Sequence, residues 1–153
     1  MDEIAFEDLV PGLEVRLGTY RVEREEVIAF AQEFDPQPFH LDEEAAKASL
    51  LGGLSASGWH TCAMMMRLIC DGLMPRIRSQ GSPGVEHVKW TRPVRPGDVL
   101  SGTVTIEAAR RSASKPGSGI LTIMTVITNQ KDEPVLESRS SIFVGIPQAG
   151  AAA

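Results

Sequence analysis

The sequence is poor in everything that would tie it to a membrane, a nucleic acid or an oxidising compartment. No run of about 18 apolar residues occurs, so no membrane-spanning helix is predicted. The leading MDEIAFEDLVPG is acidic and has no apolar centre, unlike a secretory signal. Lys and Arg number 15 against 20 Asp and Glu, a formal net charge of -5, and no basic run is longer than Arg110-Arg111. Nothing there suggests a nucleic-acid groove, although a helix N-terminus on a weakly acidic surface can still bind an anionic ligand. The two cysteines, Cys62 and Cys70, fall eight positions apart on one expected helix, about 12 Å by the helical rise, too far for a disulfide. They read as small buried hydrophobes in a reducing compartment. The phosphate loops G-x-G-x-x-G and G-x4-G-K-[ST] are missing, as is the G-x-S-x-G elbow of a serine nucleophile. The expectation is a cytoplasmic chain with no nucleic-acid partner, no membrane partner and no cofactor.

With 153 residues, 42% of them apolar, the chain suffices for one domain with a real core. That domain is expected over 1–148, with 149–153 a frayed tail. After the Pro11-Gly12 turn, Glu14 to Val22 alternates like a strand. From Glu23 to Phe34 the period changes to that of a helix, with Val27, Ile28, Phe30, Ala31 and Phe34 on one face. Pro36 stops it, and the two prolines in Asp35-Pro36-Gln37-Pro38-Phe39-His40 preclude a regular helix there. Asp42 caps a short helix that Gly52-Gly53 ends. Ser57 caps the next, GWHTCAMMMRLICDGLMP, apolar round most of its circumference and so predicted to be central and buried. Four long strands are predicted after it, over 85–94, 99–109, 120–129 and 135–144. The fold class is α+β: a long antiparallel sheet curled around one apolar helix, its free edge requiring a second copy.

Three groups of residues could carry chemistry. Asp35 and His40 could share a water and divide acid and base roles, or be a helix-stop Asp and a turn His. Ser57-Gly58 opens the buried helix, where free N–H groups make an oxyanion site; the plainer reading is an N-cap. His60 and His87 complete a set of three histidines whose spacing matches no metal-ligand pattern. His60 reads as a satisfied core or site-wall residue, His87 as an exposed or interface residue. Met64-Met65-Met66 reads as core filler, or as the lining of a flexible acyl pocket.

In order, DPQPFHLD, the helix start ASGWH and the turn W-x-x-P-V-R-P-G-D resemble the MaoC-like dehydratases, relatives of the (R)-specific enoyl-CoA hydratases with a hotdog fold. The resemblance runs from Phe6 to Val144. It implies that Asp35 and His40 match the Asp and His of the family pattern D-x-N-P-x-H, and are catalytic. It also implies that Ser57, Gly58 and Trp59 form the substrate-binding helix start, with the Gly58 N–H on a thioester carbonyl. The implied substrate is an acyl-CoA or acyl-carrier thioester, and the implied assembly a homodimer or higher homo-oligomer. The reaction would be reversible hydration of a trans-2-enoyl thioester to the (R)-3-hydroxyacyl thioester. Two positions depart from the family: Gln37 replaces the motif's Asn, and Met66 stands near where some hydratases carry a serine. Two alternatives remain. A hotdog thioesterase usually has a carboxylate on or beside the central helix, which here offers none before Asp71. A non-catalytic acyl-binding subunit would have no need of Asp35 and His40.

Overall fold

The computed structural model describes residues 1–147; the expected tail at 149–153 lies outside them. A short strand β1 (Glu14–Arg16) and a shorter β2 (Tyr20–Arg21) lead into helix α1 (Arg24–Phe34), a helical turn α2 (Pro38–Leu41) and a short helix α3 (Glu43–Lys47). The long helix α4 (Gly58–Gly72) follows, then strands β3 (Gly84–Trp90), β4 (Val99–Arg111), β5 (Ser118–Thr128) and β6 (Pro134–Gly145). The strands form one antiparallel sheet in the order β1-β4-β5-β6-β3, with β2 also on β4. α4 packs in its curl, the hotdog arrangement.

Sheet and helix bury each other through period-two and period-3.6 patterns that meet. Leu121, Ile123, Thr125 and Ile127 of β5 alternate into the core beside Leu100, Val104 and Ile106 of β4. Met64, Leu68 and Ile69 of α4 join the same core. Each fully buried large aliphatic side chain contributes about 1.5–3 kcal/mol relative to exposure.

Several expectations are corrected. The single strand over 14–22 is two pieces. Between the pairs Arg16↔Thr103 and Tyr20↔Leu100 the first strand takes four steps and β4 three, so the extra residue at Leu17–Thr19 breaks the ladder as a bulge does. The Asp35–His40 segment is extended only to Gln37. Pro38 then starts a helical turn, at the position where its missing N–H costs nothing. α3 ends at Lys47, well before Gly52-Gly53. Ser49 Oγ bonds back to Ala46 O and accepts from Leu51 N–H, giving the backbone a turn in place of another helical residue. β3 stops at Trp90 rather than at Val94, since Pro93 has no N–H to extend the ladder.

α4 is not buried all round. Trp59, Ala63, Met66 and Cys70 form an exposed stripe at helical spacing, so only Met64 of the methionine run is fully in the core, and Cys70 is no buried hydrophobe. Beside that stripe, β3 is an edge strand with Val85 and Trp90 exposed. Among the described residues, no helix is long and apolar enough to cross a membrane.

Candidate active site

The site is assembled where α2 meets the start of α4. Asp35 closes α1 by donating its N–H to Ala31 O, which leaves its side chain pointing away from the helix into the junction. One turn of α2 then brings His40 back to it. The Nε2 of His40 lies 3.5 Å from Asp35 Oδ2, with 8% and 17% of the two side chains exposed. His40 Nδ1 is 2.7 Å from the carbonyl oxygen of Ser55. A carbonyl only accepts, so Nδ1 carries the proton, and in the neutral ring the Nε2 lone pair faces Asp35.

The third member comes from α4. Ser57, fully buried, donates its hydroxyl to Asp35 Oδ2 at 2.7 Å and accepts the Trp59 N–H at 3.2 Å as the N-cap. The N-cap reading of Ser57 therefore holds, and the same hydroxyl is tied to Asp35. The position of Ser57, however, is beneath the carboxylate rather than on an open surface that a substrate could touch. Gln37 donates to the other oxygen, Oδ1, at 2.6 Å. Burial pushes the Asp35 carboxyl up; the hydrogen bonds from Ser57 and Gln37 and the charge of His40 outweigh it, so the net displacement is downward.

The helix start is open. The Gly58 N–H has no protein acceptor among the described residues. The indole of Trp90 covers Gly58, donating Nε1–H to its carbonyl at 2.8 Å. A Cβ on Gly58 would meet Trp90 Cε2 at 2.5 Å. Trp59 is largely exposed and packs edge-on to Trp90, ring centroids 5.3 Å apart. A cleft of about 310 Å³ runs past His40, Ser55, Gly58 and Trp90, walled by Phe39 and Val94. A larger hollow of about 810 Å³ by Gln80, Arg110 and Lys115 contains none of these residues.

The loop carrying Ser55 and Ser57 is held from the Arg95-Pro96-Gly97-Asp98 turn. The Arg95 guanidinium donates to the carbonyls of Leu51 and Gly53, while the carboxylate of Asp98 accepts from Arg95 N–H and from Gln130. The Ala56 N–H donates to Val94 O. The motif turn between the strands is thus a clamp on the helix entry.

The other histidines stand apart. His60 stacks on Phe30 at 4.7 Å; its buried Nδ1 has no hydrogen-bond partner among the described residues, so it is a core residue but not a satisfied one, and burial pushes its pKa down. His87 is half-buried on β3. Among the described residues, no three His, Cys, Asp or Glu side chains gather as a metal site. Met66 lies two turns into α4 on its exposed stripe. Trp90 and Ser55 were missed as site residues because their contacts with Gly58 and His40 are long-range.

Ser57→Ala leaves Asp35 Oδ2 without its donor and Trp59 N–H without its cap. The expected cost is about 1 kcal/mol of stability, measured by urea unfolding at neutral pH. Asp35 lies lower in the folded than in the unfolded chain. Its contribution is therefore present above the unfolded value and lost as pH falls through the folded one. The variant, with its carboxyl moved back up, is expected to gain less stability than the wild type between strongly acidic and neutral pH.

Residues 9–127 match the family model described as MaoC like domain. The crystal structure of the MaoC-like dehydratase from Rhodospirillum rubrum is 42% identical, with a TM-score of 0.85 over 95% of this chain and 99% of that one. An uncharacterized protein of Bacillus subtilis (strain 168), YdeM, is 31% identical over 134 residues, 87% of this chain and 93% of its own length. The (R)-hydratase from A. caviae involved in PHA biosynthesis is 25% identical, with a TM-score of 0.67 over 90% of this chain and 96% of that one. The family match takes in the Asp35 loop, the helix start and the clamping turn alike, and the likeness to the first of these structures extends it over the whole fold: the chain belongs to the MaoC-like dehydratases.

Proposed function

We propose that this chain hydrates trans-2-enoyl thioesters reversibly to (R)-3-hydroxyacyl thioesters, with CoA or an acyl carrier as the thiol. One observation carries the reading: Asp35, His40 and an unengaged Gly58 N–H converge at the start of one helix, with His40 Nε2 3.5 Å from the Asp35 oxygen that Ser57 holds. In this mechanism the thioester carbonyl oxygen sits on the Gly58 N–H, beside the positive end of the α4 dipole. A water between His40 Nε2 and Asp35 gives its proton to His40 as its oxygen bonds to C3. The electron pair of the double bond moves toward the carbonyl, and the enolate-like oxygen is stabilised at the helix start. A proton then returns to C2, so the elements of one water are added and none is left over. Ionised Asp35 stabilises the imidazolium formed in between.

The thioesterase alternative finds no carboxylate of its own. Asp71 sits at the far end of α4, paired with Arg67 at 2.9 Å. The carboxylate beside the helix start is Asp35 itself, so hydrolysis would need the same groups. A binding-only subunit is disfavoured by the donors arranged on that carboxylate. The exposed apolar stripe of α4 beside the free edge of β3 supports a homodimer in which a second copy covers both.

The test follows ultraviolet absorbance of the conjugated thioester with short and medium trans-2-enoyl-CoA. Loss of absorbance without release of free thiol is the expected result. Thiol release with the double bond intact would favour the thioesterase.

A further inference from the structure

We propose that Gln37 is a positioning residue for the Asp35/His40 pair: its side-chain amide holds Asp35 Oδ1, so that the carboxylate turns Oδ2 alone toward Ser57 and His40. The kinetic consequence rests on the hydratase reading; the contact does not. A carboxylate turns freely about its last side-chain torsion, a broad two-fold well. One donor on one oxygen leaves that rotation free, whereas donors on both oxygens fix the plane. Here both donors follow Asp35 in sequence, Gln37 two residues along the same loop and Ser57 at the cap of α4. The loop is itself stiff: Gln37 N–H donates to Asp35 O at 2.8 Å, across a proline of fixed φ.

The length of Gln37 decides the contact. Its backbone is extended, φ -91° and ψ 143°, and its amide reaches back to Oδ1 at 2.6 Å. An asparagine there is one methylene shorter, and on this proposal it does not hold the oxygen from the same backbone. Asp35 thus takes its second donor from the position where the family's D-x-N-P-x-H pattern has Asn and this chain has Gln. His40 is the one titratable side chain facing the carboxylate among the described residues; α4 presents only the uncharged Ser57.

The experiment compares wild type with Gln37→Ala, Gln37→Asn and Gln37→Glu by two readouts. The first is the pH profile of kcat/KM for enoyl-thioester hydration. The second, independent of turnover, is the NMR titration of the Asp35 carboxyl carbon. Losing the amide is expected to move the acid limb and the Asp35 titration to higher pH. Alanine and asparagine should move them alike, and glutamate further still because it sets a second negative charge against Asp35. The alkaline plateau should fall for the alanine and asparagine variants as well, since an ionised carboxylate that turns about its last torsion no longer keeps Oδ2 toward His40. Superimposable titrations of wild type and Gln37→Ala overturn the proposal, as does full restoration by asparagine. If the wild type hydrates no thioester, the hydratase reading falls, and the carboxyl titration alone still decides the role of Gln37.

Discussion

Replacing His40 by asparagine is expected to lower kcat/KM for enoyl-thioester hydration by about 10²–10⁴, the usual worth of a positioned acid–base group. Asparagine suits the test better than alanine because of how His40 is held. Nδ1–H donates to Ser55 O at 2.7 Å in a buried setting, and removing the donor strands that carbonyl at a cost of about 1–3 kcal/mol. The asparagine amide replaces the donor at the Nδ1 position and offers nothing at Nε2 to take a proton. Circular dichroism and thermal unfolding close to wild type, together with lost turnover, would place the chemistry at Nε2. Retained turnover would remove His40 from the mechanism.

Gly58→Ala is the second substitution with a large expected effect, on stability as well as rate. The added Cβ would lie 2.5–2.9 Å from three atoms of the Trp90 indole, closer than carbon atoms pack. Trp90 is held by its own hydrogen bond to Gly58 O, so it cannot move aside without losing it. Overpacking of this kind costs about 1–3 kcal/mol. Displacing the helix start also moves the Gly58 N–H, a donor whose removal from an oxyanion site costs roughly 3 kcal/mol of barrier. Pairing Gly58→Ala with Trp90→Leu relieves the clash, so the double variant should be more stable than the sum of the singles. Urea denaturation of the four proteins measures this directly. Strict additivity would show that Trp90 is not what confines Gly58.

Much of this was legible in the sequence, and for reasons that can be named. The α4 boundaries follow from Ser57, Gly72 and a 3.6 period, and the four late strands from their alternation. Asp35, His40, Ser57 and Gly58 were selected because the residues that carry acid–base and oxyanion chemistry are few in type. What failed was whatever depends on a residue distant in sequence. The exposed stripe of α4 looks like core when only composition is weighed, because an apolar face left exposed has the same period as one packed on a sheet. The break at Leu17–Thr19 depends on the register against β4. The roles of Trp90, Arg95 and Ser55 depend on the loop at 51–57 reaching the turn at 91–98. Ser57 itself was placed correctly as a cap, but its bond to Asp35 spans 22 positions of chain and is invisible to local reading.

The most direct test of the central claim is to incubate the wild-type protein with trans-2-butenoyl-CoA in ¹⁸O-labelled water and locate the label by mass spectrometry. Hydration at the Asp35/His40 pair predicts ¹⁸O in a hydroxyl at C3, with the thioester intact and the product of R configuration. Label in a free carboxylate alongside released CoA, or an unlabelled substrate recovered from folded protein, would contradict the account.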